Sequence, residues 1–244
     1  MTTPRRYEKG VTNVAKGTTM GMFPAIDPSR VYGDFDEFFS YSANDWVVST
    51  VEAGAGSATE AVSDAHPGGA LLLTNAAGAG DHDFLQRAYD GAAGTLVSET
   101  IIFQTHKQLW FKARFKVGDV DDATFFMGLH ITNTDPVAVA PTDGVYFHSA
   151  STSAALFLRV RKNSLQLTTT QVATMTDLGW LTVGYHWDGV SLLHYYIGDN
   201  YVDTLTPSTY LPDDEYLALS FGVENTSAVA NAMYVDYIGA WSER

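Results

Sequence analysis

The chain contains no cysteine, which excludes disulfides, thiolate nucleophiles and cysteine-ligated zinc. It is also short of charge: Asp, Glu, Lys and Arg make up 17% of its 244 residues, where about 25% is usual. Its apolar runs are far shorter than the ~20 residues needed to span a bilayer. No apolar stretch follows the basic start Met1–Gly10, as a secretory leader would require. Neither a membrane partner nor a cleaved leader is expected. The Gly-x-Ser-x-Gly nucleophile elbow and the Gly-x-x-x-x-Gly-Lys-Ser/Thr phosphate loop are missing too, and Lys16-Gly17-Thr18 lacks the preceding glycines such a loop needs.

The charge that is present is mostly negative. A net charge of −14 and a pI near 4.6 repel nucleic acid and anionic lipid, so no nucleic-acid partner is expected. The balance is uneven. Residues 1–30 hold Arg5, Arg6, Lys9, Lys16 and Arg30 against Glu8 and Asp27, a net +3, which leaves −17 on the rest. A basic segment before an acidic body suits an acidic partner surface or a neighbouring subunit, although a solvated tail has the same composition.

Residues 1–33 show no sustained period and are broken by Pro4, Pro24 and Pro28, with Gly10, Gly17, Gly21 and Gly33 between. The segment is read as an extended N-terminal arm, held by a partner or folded back on its own body. Its candidate binding residues are Arg5, Arg6, Lys9, Val11, Asn13, Val14, Lys16, Met20, Met22 and Phe23. The body, residues 34–244, is read as one β-sandwich domain. Residues 53–94 hold 8 of the 21 glycines and 12 alanines, a texture of short strands and long loops.

From residue 95 the pattern alternates. Leu109, Phe111, Ala113, Phe115 and Val117 face one way, with Lys112, Arg114 and Lys116 opposite. Phe125, Met127, Leu129 and Ile131 repeat it, as do Leu156, Leu158 and Val160 against Arg159 and Arg161. Leu181, Val183, Tyr185 and Trp187 form another face, as do Leu217, Leu219, Phe221 and Val223, and Met233–Ala240 reads as the last strand. No amphipathic helix intervenes. Lys162-Asn163-Ser164, Asp188-Gly189 and Gly198-Asp199-Asn200 supply residues that tolerate positive φ at hairpins. The expected fold class is all-β: two stacked antiparallel sheets rather than a repeat architecture.

The stretch Trp180-Leu-Thr-Val-Gly-Tyr-His-Trp-Asp-Gly189, followed by Leu193–Val202 and by Met233-Tyr-Val-Asp-Tyr-Ile238, resembles the concanavalin A-like jelly rolls of lectins, laminin-G-like modules and glucanases. Gly198-Asp199-Asn200 departs from the aspartate-glycine turn of that group. The whole chain also resembles uncharacterised structural proteins of tailed bacteriophages. That likeness rests on Gly10-Val-Thr-Asn-Val14, Tyr32–Phe39, Leu109–Val117 and Gly144-Val-Tyr-Phe-His148. It implies a virion component on the outer surface of the head, a decoration or cement protein made in the host cytoplasm. Its implied partners are the major capsid protein and sister subunits, as a homotrimer, with the arm reaching across neighbours.

Chemistry finds little purchase by spacing. The glucanases of the superfamily place carboxylates as Glu-x-Asp-x-x-Glu on one strand, and no such run exists here. Glu99 stands alone, Glu224 lies at a strand end beside Asn225, and Asp213-Asp214-Glu215 follows Pro212 as a turn. The expectation is therefore that the protein is not an enzyme, with no catalytic residue, metal or cofactor. Calcium at Asp81-His82-Asp83, at Asp119, Asp121 and Asp122, or between Asp236 and Asp34 or Asp36 is weighed against solvated loops, which are commoner. Trp46, Trp110, Tyr146, Trp187, Tyr195, Tyr196 and Tyr201 would make a sugar-binding face if exposed, and core if not. His130, His148, His186 and His194 are read as strand residues satisfied by neighbours. The alternative function is a lectin-like module whose partner is a host glycan; an unrecognised polysaccharide-cleaving enzyme ranks third.

Overall fold

The computed structural model describes residues 31–52, 56–64, 66–88, 96–150, 152–167 and 171–244. The first strands are β1 (Val31–Asp36), β2 (Trp46–Val51), β3 (Thr59–Val62), β4 (Leu71–Thr74) and β5 (His82–Arg87). There follow β6 (Leu109–Val117), β7 (Ala123–His130), β8 (Gly144–Ser149), β9 (Ala155–Lys162), β10 (Leu165–Gln166) and β11 (Gln171–Thr174). The chain closes with β12 (Leu181–Trp187), β13 (Leu193–Ile197), β14 (Asn200–Leu205), β15 (Ala218–Asn225) and β16 (Ala232–Glu243). Helix among the described residues is limited to two 3₁₀ turns, Ala43–Asp45 and Ser208–Tyr210.

Every named pairing is antiparallel, and the strands form two sheets. The first runs β14-β13-β12-β6-β16-β4-β3, with β1 on β16 beyond β4; the second runs β10-β9-β8-β7-β15-β5-β2, with β11 also on β9. The expected all-β sandwich is what forms. The arm residues Arg5 through Phe23 lie outside the described residues. Val31, Tyr32 and Gly33, assigned to the end of the arm, are the first half of β1 and pair with Glu243, Ser242 and Trp241.

The alternation drives the stacking. Leu109, Phe111, Ala113, Phe115 and Val117 of β6 meet Phe125, Met127 and Leu129 of β7 in one buried core, joined by Val145, Phe147, Leu219, Phe221 and Val223. Each fully buried Phe contributes about 2 kcal/mol of apolar burial. Tyr185 is wholly buried in this core, stacks on Phe111 at 4.9 Å, and donates its hydroxyl to the Val145 carbonyl of the opposite sheet at 3.0 Å. The turn between β9 and β10 is a two-residue hairpin in which Asn163 and Ser164 have φ of 51° and 67°, as Lys162-Asn163-Ser164 predicts.

Candidate functional site

A strand packed on one side only alternates buried with exposed, as β6 does. In the second sheet β7 and β8 are buried along their whole length, and β5 and β15 nearly so. Something therefore covers that sheet's outer face as well. Its residues come in cross-strand rungs. His82 of β5 faces Glu224 of β15, which faces Thr124 of β7. The next rung is Phe84, Gly222, Phe126, His148 and Phe157, and the one after is Gln86, Ser220, Gly128, Tyr146 and Arg159. The glycines give the aromatic rings their room. A Cβ on Gly222 would lie 2.3 Å from the Phe84 ring, and one on Gly128 2.5 Å from Cβ of Tyr146.

Part of this face is hollow. A cavity of about 210 Å³ is lined by Thr124, Phe126, Tyr146, His148, Ser149 and Arg159 of the sheet and by Pro136 and Val137 of the loop above it. Phe126 and Tyr146 pack at 4.6 Å, and His148 stacks on Phe157 at 5.5 Å. Four buried polar atoms of the lining, Thr124 Oγ1, Tyr146 OH, His148 Nε2 and Arg159 Nε, have no hydrogen-bond partner among the described residues. Buried polar groups are nearly always paired, and an orphan costs about 1–3 kcal/mol. Burial and the Arg159 charge lower the His148 pKa to about 4, so its ring is neutral; Nδ1 lies 2.9 Å from the Ser149 carbonyl.

The covering loop, residues 131–143, is pinned by Gln86. Gln86 Oε1 accepts from the Asn133 N–H at 2.9 Å, and its Nε2 donates to the Ile131 carbonyl and to Ser220 Oγ. Asn133 Oδ1 accepts from the Asp135 N–H, and Asp135 Oδ1 from the Ala138 N–H. The fold of the loop sets Asp135 beside the first rung. Ligand-type atoms of His82, Asp135 and Glu224 all lie within 4.8 Å of one another, with His82 Nδ1 3.7 Å from Glu224 Oε2. Burial and the Asp135 charge push the Glu224 pKa up to about 7. Burial lowers that of His82, against the opposing pull of Asp135, the Gly80 carbonyl and Asp81.

The sequence candidates scatter. Strand alternation splits Asp81-His82-Asp83: His82 faces outward, while Asp83, on the other side of β5, accepts from Thr50 Oγ1 and is raised to about 8 by burial and by Glu60. Asp119 Oδ1 caps the backbone N–H groups of Asp121 and Asp122. Asp34 and Asp36 pair with Arg87, and Asp236 with Arg114, so these acids do not meet one another. Trp46, Trp187 and Tyr195 are core residues, whereas Tyr146 lines the cavity. Trp110 stacks on His186 at 5.2 Å on the first sheet. His130, His186 and His194 have partners, in Ile131, Gln108 and Thr204. Sequence spacing missed Glu224 and Asp135 because one comes from a strand and the other from a loop.

No known family model matches the chain, and no curated protein matches it in sequence. Solved structures do match in fold. A prokaryotic β-1,3-1,4-glucanase (lichenase) from a mouse hindgut metagenome aligns with a TM-score of 0.59 at 9% identity, over 85% of this chain and 98% of that one. A Bacteroides ovatus GH16 protein of a mixed linkage glucan PUL, solved with a G4G4G3G product, gives 0.59 at 13% identity over 84% and 98%. A Shewanella oneidensis protein of unknown function gives 0.56 at 12% identity over 88% and 87%. These findings correct the expectation that the protein is not an enzyme: the fold is one that glucanases use. A missing Glu-x-Asp-x-x-Glu run does not rule out chemistry where two carboxylates meet from separate segments. Nothing in these three structures supports the bacteriophage resemblance. At these identities the likeness establishes the fold alone, a jelly-roll sandwich of two antiparallel sheets.

Proposed function

We propose that the protein binds a saccharide chain on the outer face of its second sheet, one sugar unit entering the cavity beside Tyr146. The observation that carries this reading is the set of four unpartnered polar atoms around a cavity walled by aromatic rings. A sugar ring presents apolar C–H faces and a rim of hydroxyls, which suit Phe126 and Tyr146 on one side and Thr124, His148 and Arg159 on the other. At about 210 Å³ the space is below the roughly 300–1,000 Å³ of sites that enclose a drug-sized ligand. A single residue of a longer chain fits better than a whole ligand. Glucan handling by proteins of the same fold supports the reading. The head-decoration reading, with a capsid partner and a trimer, rests on the sequence resemblance and on arm residues outside the described ones. No geometry favours it.

The test is a glycan array of neutral and acidic oligosaccharides, followed by calorimetry on the hits. Arg159→Ala and Thr124→Val are expected to weaken binding at least tenfold, and Lys112→Ala on the other sheet to leave it unchanged. An array without hits, or hits indifferent to the cavity variants, overturns the proposal.

A further inference from the structure

Beside the cavity, the first rung poses a separate problem of charge. Asp135 and Glu224 bring two carboxylates together next to an imidazole. Among the described residues no lysine or arginine forms an ion pair with either acid. Two carboxylates at such range repel one another, and either a proton on one of them or a cation between them relieves the repulsion. A chain of net charge −14 would be expected to spend a base here, yet its described ion pairs go to Asp34, Asp36, Asp199, Asp213, Asp214 and Asp236.

We propose that His82, Asp135 and Glu224 bind a divalent first-row cation of the zinc type. The donor set decides the class. Calcium and magnesium take oxygen donors, six or more in number, whereas one imidazole with two carboxylates is the mixture zinc accepts in open, three-ligand sites. His82 is 4% exposed, and its Nδ1 lies 3.7 Å from Glu224 Oε2, which places a ring nitrogen at the site. Its interaction with the Gly80 carbonyl is the kind of outer contact that orients a metal-bound imidazole. Stacking of its ring on Phe84 at 4.7 Å fixes the plane.

The supports are rigid on all three sides. His82 and Glu224 are register partners on adjacent central strands, and Asp135 is tied at Oδ1 and at its own N–H, which leaves its second oxygen. Zinc holds its ligands at about 2.1 Å, so donors within 4.8 Å and 3.7 Å of each other close on it by side-chain rotation. Three protein ligands leave a fourth position for water or a ligand atom. Thr124, directly opposite Glu224, lines the cavity, and cross-strand neighbours stand about 5 Å apart. The cation and a ligand in the cavity are therefore within one side chain of each other. The assignment does not depend on the ligand being a saccharide.

The experiment uses the full chain without an affinity tag, stripped with chelator and titrated with zinc at pH 7.5 by calorimetry. Cobalt(II) absorption serves as a second reporter of coordination. One ion per chain is expected, with affinity at least tenfold lower in Glu224→Gln, Asp135→Asn and His82→Gln. His186→Gln, on the other sheet in the stacked pair of His186 and His194 at 5.8 Å, is expected to bind as the parent does. Circular dichroism checks that each variant is folded; should His82→Gln not fold, the two carboxylate variants decide alone. Absence of binding, equal affinity in the carboxylate variants, loss confined to His186→Gln, or preference for calcium over zinc overturns the proposal.

Discussion

On the outer face of the first sheet, Arg114 pairs with Asp236 and lies over Trp180, Lys116 sits between Trp180 and Tyr234, and Lys112 reaches Asp199. On the outer face of the second, Thr124, Tyr146, His148 and Arg159 line a cavity, and each has a buried polar atom without a partner among the described residues. The first face pairs these charged side chains within the chain, and its buried atom without a hydrogen bond, His66 Nδ1, lies 3.9 Å from the Asp236 carboxylate. The second is complete in its apolar parts, since Phe84, Phe126 and Tyr146 are almost wholly buried, but open in its polar ones. The difference teaches where to look for function in a fold without a recognisable motif: at the place where hydrogen-bonding capacity has been buried and left unused.

The sharpest way to break the second face is steric. Gly222→Ala places a methyl against Phe84 and the Asp83 carbonyl, and is expected to cost about 3 kcal/mol of stability, at the upper end of overpacking effects. Chemical denaturation measures it; a loss under 1 kcal/mol would show that the rungs are loosely packed.

The next effect is electrostatic. The folded-state pKa of Glu224, about 7, is raised above its unfolded value. The folded protein thus holds a proton the unfolded chain has lost, and the cation-free protein loses stability as pH rises from about 4.5 to 7. The shift corresponds to roughly 3 kcal/mol at most. Glu224→Gln should remove most of that decline in chelator, measured by denaturation at pH 5 and pH 8. An unchanged decline would mean that Asp135 and Glu224 do not face each other in solution.

Smaller changes separate the two faces. Arg114→Ala on the first sheet gives up a part-exposed ion pair and a ring contact, and should cost about 1 kcal/mol with no effect on glycan binding. Tyr146→Phe removes a buried hydroxyl that has no partner among the described residues and should raise stability by about 1 kcal/mol, yet weaken glycan binding about tenfold. Tyr185→Phe is the internal control: that hydroxyl is bonded, and its removal should cost about 1 kcal/mol.

The fold was legible because the inner faces alternate. Leu109 to Val117 announce a half-buried strand, and the hairpin at Asn163 and Ser164 follows from turn chemistry. The outer face of the second sheet was not legible from the same pattern. Phe126, His130, Tyr146 and His148 alternate with core residues as solvent-facing positions would, yet they are buried, packed ring on ring beneath a loop whose Pro136 and Val137 line the same cavity. Glu224 reads as an isolated acid because its neighbours, His82 and Asp135, are distant in sequence and meet it through sheet register and loop anchoring. The acids that the sequence singles out, Asp34, Asp36 and Asp236, pair instead with Arg87 and Arg114, arginines too distant in sequence for pattern reading to match.

The most direct test of the account is a map of amide chemical-shift changes on adding an oligosaccharide that the array identifies. The account predicts changes confined to Thr124, Phe126, Tyr146, His148, Arg159 and the 131–143 loop. Changes centred on Lys112, Arg114 and Lys116 of the first sheet, with the cavity residues unmoved, would contradict it.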